Sequence, residues 1–188
     1  MTERIRPGSR REVGVVGAVV AGVSGLIAGT EPPRLFLTLG RHRRLFRGWL
    51  RFAGRLMPGG RLPRRETELV ILRVAHLRDC RYEFDHHVRL GRRAGVTATD
   101  VERLVRMPLD RDWPAREQAL LDAVDALHER QDLDDGEWTA LRHQLDERET
   151  LELLMLAGHY EMLATVIRVL RLEPDRASRW RRRLSRSD

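Results

Sequence analysis

The sequence of 188 residues contains no lysine and no asparagine, and it has a single cysteine. The absence of lysine excludes enzymes that form a Schiff base and NTPases whose P-loop requires an amine. One cysteine excludes an internal disulfide framework and any zinc site built from several thiolates. With 41% hydrophobic residues the chain has enough apolar side chains for a core, so wholesale disorder is excluded. Its length fits one domain of about 100–200 residues with short extensions.

All 35 basic residues are arginine, and they are unevenly distributed. Residues 1–55 carry a net charge of +8, residues 56–172 carry −4, and residues 173–188 carry +3. The last segment has the charge of a phosphate-binding tail. No aromatic stacking surface or DNA-reading motif accompanies it, so we expect a flexible, solvated tail and no nucleic-acid partner. The arginines of this tail are Arg176, Arg179, Arg181, Arg182, Arg183 and Arg186.

An uncharged run from Val13 to Gly29 follows Arg10 and Arg11. At 17 residues, five of them glycine, the run is at the short limit for a membrane span. The paired arginines resemble the start of a twin-arginine export signal, but no Ala-x-Ala cleavage site follows. Val13, Val16, Val20, Val23 and Ile27 recur at helical spacing, as in a helix packed closely through its small residues. We therefore favour a soluble helix or an inter-subunit helix over export or membrane insertion, in a cytoplasmic protein.

The remaining apolar pattern has a helical period throughout. The predicted helices cover about residues 35–39, 45–56, 65–77, 80–94, 97–105, 114–127, 134–145 and 147–172. No segment alternates with period two for long enough to be a strand, so the fold class is all-α. We predict three segments: residues 1–30 form a basic segment and an apolar helix, residues 31–172 form the helical domain, and residues 173–188 form the Arg-rich tail.

Three titratable side chains share the apolar face of the helix near residues 80–94. At about 100° per residue, Cys80, Glu83 and His87 fall on one side of this helix. Because Asp79 is a plausible N-cap, Cys80 is predicted in the first turn, where backbone N–H groups favour a thiolate. We therefore expect a thiol pKa below that of free cysteine, and His87 two turns on as its proton acceptor.

Two other interpretations of this face remain open. A buried cysteine is often an inert small hydrophobe, and a histidine on an apolar face is often a core residue. Cys80, Glu83 and His87 could also be metal ligands, with His86 nearby. Ligands spread over two turns of one helix do not by themselves close a site around an ion, so we expect no metal.

One region of the sequence has the pattern of a known family. It consists of Arg64-Arg65-Glu66-Thr67-Glu68-Leu69-Val70-Ile71-Leu72-Arg73-Val74-Ala75, then Cys80-Arg81-Tyr82-Glu83-Phe84, then His87 and Gly91 to Gly95. This region resembles the carboxymuconolactone decarboxylase family. That family includes the AhpD-like alkylhydroperoxidases. Its motif is a glutamate, a cysteine twelve positions later, a second cysteine three positions on in the peroxidases, and a histidine four positions further. Glu68, Cys80 and His87 match this motif. The resemblance implies an AhpD-like helical bundle that forms homo-oligomers, often trimers or hexamers, without an organic cofactor.

The sequence departs from the peroxidase motif at the second cysteine, where Glu83 stands. In two-cysteine peroxidases one thiolate is oxidised to a sulfenic acid, and the second cysteine resolves it as a disulfide. With one cysteine, an internal disulfide cannot form. Peroxide reduction would therefore be one-cysteine chemistry, and an external thiol would resolve the oxidised cysteine.

Three functions are consistent with these observations. In a thiol-dependent peroxidase, Cys80 attacks the peroxide, His87 and Glu68 transfer protons, and Glu83 shapes the pocket or shares that work. Because the motif is built around a cysteine, we favour this function.

The second function is a cofactor-free decarboxylase or isomerase of a small lactone or carboxylic acid. Here the glutamates or His87 move the proton, and Arg73 or Arg81 could hold a substrate carboxylate. The third is a helical oligomer without catalytic activity.

Overall fold

The computed structural model describes residues 3–178, and within that range it contains α-helices and no strand. The all-α prediction is confirmed. Of the Arg-rich tail, the five arginines from Arg179 on lie outside the described residues. The helices are α1 Arg10–Ala28, α2 Arg34–Leu39, α3 Arg43–Leu56, α4 Arg64–Leu77, α5 Arg81–Arg93, α6 Ala98–Leu104, α7 Ala115–Arg130, α8 Asp135–Gln144 and α9 Glu147–Leu170.

Side-chain caps explain where several helices begin. The side chain of Thr97 accepts a hydrogen bond from the Asp100 backbone N–H, and that of Asp134 accepts one from the Glu137 N–H. Each third residue bonds back to the N–H of its cap, which completes a capping box. The predicted start at Asp134 is confirmed. Pro114 is the N-cap of α7 and does not lie in its first turn.

The helices form two compact units. The first consists of the residues up to Ala53 and those from Val166 on, and the second consists of Gly54–Thr165. The predicted division at residues 30 and 172 stays a prediction.

In the second unit, α4 is buried on all sides from Glu66 to Ala75. Leu69 and Leu72 of this helix pack into a core that also contains Val96, Leu104, Leu109, Trp113 and Leu121. A helix buried on all sides lies at the centre of a unit. The candidate residue Glu68 is therefore carried by the central helix, and α5 packs beside it.

In the first unit, α1 turns its small residues inward. Gly17, Ala21 and Gly25 are buried, whereas Val16, Val23 and Ile27 of the predicted apolar stripe are more than half exposed. The prediction of a helix packed closely through its small residues is confirmed, because the backbone after α1 approaches Gly25 too closely for a larger side chain. Gly14 adopts a positive φ of 76° and kinks the helix near its start.

Gly25→Ala is expected to destabilise the protein by about 1–3 kcal/mol through overpacking. A Cβ at Gly25 would lie 2.8 Å from the backbone oxygen of Glu31 and 3.0 Å from the nitrogen of Pro32. Gly48→Ala in α3 is the control, because a Cβ there meets nothing within 4 Å. The control should be neutral or stabilising by up to about 1 kcal/mol, the difference in helix propensity. Urea unfolding measures both changes, and equal effects would contradict the close approach at Gly25.

Two helices, α1 and α9, are long and apolar enough to cross a membrane by length and composition. Both properties are also found in core helices of soluble proteins and in signal sequences. Length and composition therefore do not decide whether the run from Val13 to Gly29 is a soluble or inter-subunit helix, as predicted, or a membrane or export segment.

Candidate active site

Three of the four predicted site residues lie in direct contact. His87 lies on α5, and its Nδ1 is 2.8 Å from Oε2 of Glu68 on α4. Its Nε2 is 3.3 Å from Oε2 of Glu83, which is also on α5. All three side chains are at least nine-tenths buried. The contact of Glu83 with His87 follows from the sequence, because these residues are four apart on α5 and share its inward face, and the packing of α4 against α5 adds Glu68.

Cys80 is buried at the N-terminus of α5, where it is the N-cap residue. Asp79 was predicted to cap this helix, but it has a positive φ of 49° in the preceding turn. The capping prediction is therefore wrong. The backbone N–H of Glu83 acts to lower the thiol pKa, as expected at a helix start, although the Cys80 side chain accepts no capping hydrogen bond.

The expected lowering of the thiol pKa is also wrong. Burial raises the pKa of Cys80 to about 11, and the charges of Glu83 and Asp79 act in the same direction. The Glu83 N–H and the charge of Arg78 act in the opposite direction but do not outweigh burial. Cys80 is consequently a protonated thiol at neutral pH, and its reaction as a nucleophile requires a base at the moment of attack.

His87 has the opposite electrostatic environment. Burial lowers its pKa, but the charge of Glu68 and the hydrogen bonds to Glu68 and Glu83 outweigh burial and raise it to about 9. At neutral pH His87 is an imidazolium between two carboxylates. The prediction that His87 accepts the thiol proton is therefore wrong for the resting state. The imidazolium can instead donate a proton.

The neighbouring histidines of α5 should titrate far apart. Burial and the charge of His87 lower the pKa of His86 to about 3, so we expect no midpoint for His86 between pH 5 and 8. His87 should titrate near pH 9 in an NMR measurement of the ring resonances.

Because this pKa lies above the value of about 6.5 in an unfolded chain, the ion pair stabilises the fold fully below pH 6.5. That contribution disappears as the pH rises through 9. A His87 midpoint near pH 6.5 would contradict the ion pairs of His87 with Glu68 and Glu83.

Tyr160 of α9 completes the site, and it is not among the residues predicted for it. Its ring meets the ring of His87 edge-on at a centroid distance of 5.2 Å. Burial, with the charges of Glu83 and Glu68, raises the pKa of Tyr160 well above its usual value. The aromatic ring therefore closes one side of the site with a neutral phenol. No spacing motif links α9 to α5, so only the tertiary structure reveals this residue.

Arg64 is the link between the buried cluster and the surface. Its Nη2 is 2.6 Å from Oε1 of Glu68, and its side chain is 39% exposed. Glu68 thus contacts a cation on each side, His87 inside and Arg64 outside.

Comparison with known proteins agrees with the motif around Glu68 and Cys80. The model of the carboxymuconolactone decarboxylase family matches residues 43–126. This segment belongs to the carboxymuconolactone decarboxylase family. No curated protein matches the sequence.

Several solved structures share the fold. An uncharacterised peroxidase-related protein from Silicibacter is 15% identical with a TM-score of 0.78, and the match covers 93% of this chain and 94% of that one. The alkylhydroperoxidase AhpD core protein of Ralstonia eutropha is 18% identical with a TM-score of 0.77, with 92% and 94% covered. A variant of the debrominase Bmp8 in complex with 2,3,4-tribromopyrrole is 15% identical with a TM-score of 0.78, with 92% of each chain covered. The chain therefore has an AhpD-like helical fold.

Neither arginine suggested for holding a substrate carboxylate lies where it could do so. Arg73 is completely buried, and its guanidinium is held by Asp125 and by backbone oxygens at and just after the end of α6. Arg81 is 84% exposed and pairs with Asp85 on the outer side of α5. The hypothesis that either one binds substrate at this site is wrong.

The cluster has no free lone pair for a metal ion at His87. Both ring nitrogens face carboxylates, and at neutral pH both carry protons. Within residues 3–178, no group of three His, Cys, Asp or Glu side chains has the arrangement of a metal site. Proton transfer is the chemistry that these side chains can perform.

Proposed function

We propose that the protein is a one-cysteine, thiol-dependent peroxidase in which Glu83 is the base for Cys80 and His87 is the acid. The observation that supports this proposal is that Glu83 acts on both groups. Its charge raises the pKa of the Cys80 thiol, and its Oε2 contacts His87. Its Oε1 is buried and accepts no hydrogen bond from the described residues, so it is available for a proton.

The first step balances within the site. Oε1 of Glu83 takes the thiol proton while the sulfur attacks one peroxide oxygen, and the O–O bond breaks. The imidazolium of His87 gives a proton to the departing oxygen, which leaves as an alcohol or water. Cys80 is then a sulfenic acid, Glu83 is protonated and His87 is neutral. The carboxyl group of Glu83 then turns its protonated oxygen toward Nε2 of His87, 3.3 Å from Oε2 in the resting state, and passes the proton on, which restores both groups.

The second half of the cycle requires a small thiol from outside. One thiol condenses with the sulfenic acid to form a mixed disulfide and water, and a second thiol releases the reduced Cys80 together with an external disulfide. This scheme needs no second cysteine in the chain. It also fits the names of the structural relatives, two of which are described as peroxidase-related.

The high thiol pKa makes the base essential. At pH 7 a thiol with a pKa of about 11 is ionised to about one part in 10⁴, too little for a fast reaction of free thiolate. A base that takes the thiol proton while the peroxide is being attacked removes this penalty. Cys80 should therefore react slowly with general alkylating reagents and faster with peroxide than its thiolate fraction alone allows.

Turnover of cumene hydroperoxide with dithiothreitol tests the proposal. The reduced protein should consume peroxide, and Cys80 should be trapped as a sulfenic acid by dimedone. Cys80→Ser should lose both properties. The alkylation of Cys80 in urea shows that the thiol is intact. Absence of turnover in a protein whose unfolded form still carries a reactive thiol would refute the proposal.

A second candidate is acid–base catalysis on a small lactone or carboxylic acid. It is favoured by the direct contact of Glu68, His87 and Glu83, because this cluster is complete without the sulfur. In this function a carboxylate removes a proton at carbon and the imidazolium protonates the product. Cys80→Ser would leave such an activity intact, which distinguishes the two candidates.

A further inference from the structure

The outward face of α1 consists of six large aliphatic residues, each more than half exposed. At 100° per residue they lie within an arc of about 120°, so they form one continuous surface. We call this surface the α1 face; its members are Val15, Val16, Val19, Val23, Leu26 and Ile27. No charged residue interrupts it, because residues 13–29 contain none. Its exposed area, about 600 Å², is at the upper end of the patches that monomers leave in water.

We propose that the α1 face binds the α1 face of a second copy of this chain, with the two helices antiparallel. The positions of the six residues carry this inference. If a two-fold axis passes at the level of Ala21, residues equally far before and after position 21 face each other. Val15 then faces Ile27 of the second copy, Val16 faces Leu26, and Val19 faces Val23. The pairing leaves no member of the α1 face without an aliphatic partner, as an isologous interface requires.

One edge of the α1 face permits close approach of two helices. Gly22 lies there, midway along the helix; it is exposed, and a Cβ at this position would meet nothing within 4 Å. Small residues at a helix crossing allow the neighbouring side chains to interdigitate. Antiparallel packing also opposes the two helix dipoles, which is the favourable orientation.

The area is sufficient for a stable pair. A standard protein interface buries about 800 Å² on each partner, and the aliphatic surface of the α1 face supplies most of it. Exposed arginines at the start of α1, Arg10 and Arg11, provide a polar rim. A second copy can therefore cover this surface without any other protein.

A membrane is the alternative occupant, and the kink at Gly14 argues against it. The uninterrupted helix from Val15 to Ala28 has 14 residues and is about 21 Å long at 1.5 Å per residue. A hydrocarbon core is about 30 Å thick. The opposite face is also already packed through Val13, Gly17 and Gly25. Only the exposed half of α1 is therefore available for an interface.

Matched charged variants test both the interface and its register. Val19→Glu and Val23→Arg should each weaken self-association at least about 100-fold, because each buries an unpaired charge. Mixed in equal amounts they should associate again, since the new charges face each other once in the mixed dimer. Leu45→Glu is the control, because Leu45 is 59% exposed and lies on α3 outside the α1 face.

Sedimentation equilibrium of the full chain gives the masses, against 21.8 kDa for one copy. The wild type and Leu45→Glu should have at least twice this mass, and each single α1 variant should have half the mass of the wild type. Circular dichroism confirms that the variants are folded. A monomeric wild type, a mass unchanged by Val19→Glu, failure of the mixture to reassociate, or partition of the wild type into phosphatidylglycerol vesicles would each overturn the proposal.

Discussion

Arg73→Met should lower the free energy of unfolding by about 3–5 kcal/mol, the usual cost of breaking a buried ion pair. The guanidinium of Arg73 is fully buried and bonds both carboxylate oxygens of Asp125, at 2.6 and 2.7 Å. It also donates to the backbone oxygens of Leu104, the last residue of the short helix α6, and of Arg106 just after it. Methionine keeps the apolar stem but leaves a carboxylate and two carbonyls without their donor.

Urea unfolding followed by circular dichroism measures this change. Arg81→Met is the matched control, because Arg81 carries the same group on the surface and its pair with Asp85 is exposed. That variant should lose no more than about 0.5 kcal/mol. Adding Asp125→Leu to Arg73→Met should recover part of the loss, since the unpaired carboxylate is removed. If Arg73→Met costs under about 1 kcal/mol, the buried arginine does not hold α4, α6 and α7 together.

The helical pattern of the sequence was sufficient to predict the fold class. Amphipathic periodicity and turn residues such as those around Asp134 are local signals, and they place the helices to within a few residues. The spacing of Glu68, Cys80 and His87 is equally local, because two of these residues share α5 and the third lies on the preceding helix. The contact of Glu83 with His87 follows from their spacing on α5, whereas the contact of Glu68 with His87 depends on the packing of α4 against α5.

The protonation states could not be predicted in the same way. A helix start favours a thiolate, but burial of Cys80 and the nearby carboxylate of Glu83 have the larger effect, and both depend on tertiary packing. The role of Arg73 was mistaken for the same reason. An arginine near a site motif suggests substrate binding, and only the contacts with Asp125 show that it is structural.

The sequence of α1 was ambiguous for a different reason. Its valines and its glycines both recur at helical spacing, so periodicity alone does not show which set packs inward. The closeness of the backbone of Glu31 to Gly25 decides it in favour of the glycines.

Glu83→Gln should slow peroxide reduction by about 10²–10⁴-fold, the usual contribution of a general base, and should at the same time speed alkylation of Cys80. Glutamine keeps the shape and the backbone N–H that acts to lower the thiol pKa, but it cannot take a proton. It also removes a negative charge that raises the thiol pKa, so the thiolate fraction increases. Stopped-flow peroxide consumption and the rate of iodoacetamide modification measure the two effects on the same preparation.

The opposite signs of these effects separate a base from a merely structural residue. If Glu83 only shaped the pocket, its replacement would change access, and peroxide reduction and alkylation would move together. Asp85→Asn, a surface carboxylate on the same helix, should change neither rate by more than about twofold, since exposed charges are screened. In the wild type, peroxide reduction should also fall above pH 9, where His87 loses the proton that the departing oxygen needs. A Glu83→Gln protein that reduces peroxide at the wild-type rate would show that another group takes the thiol proton.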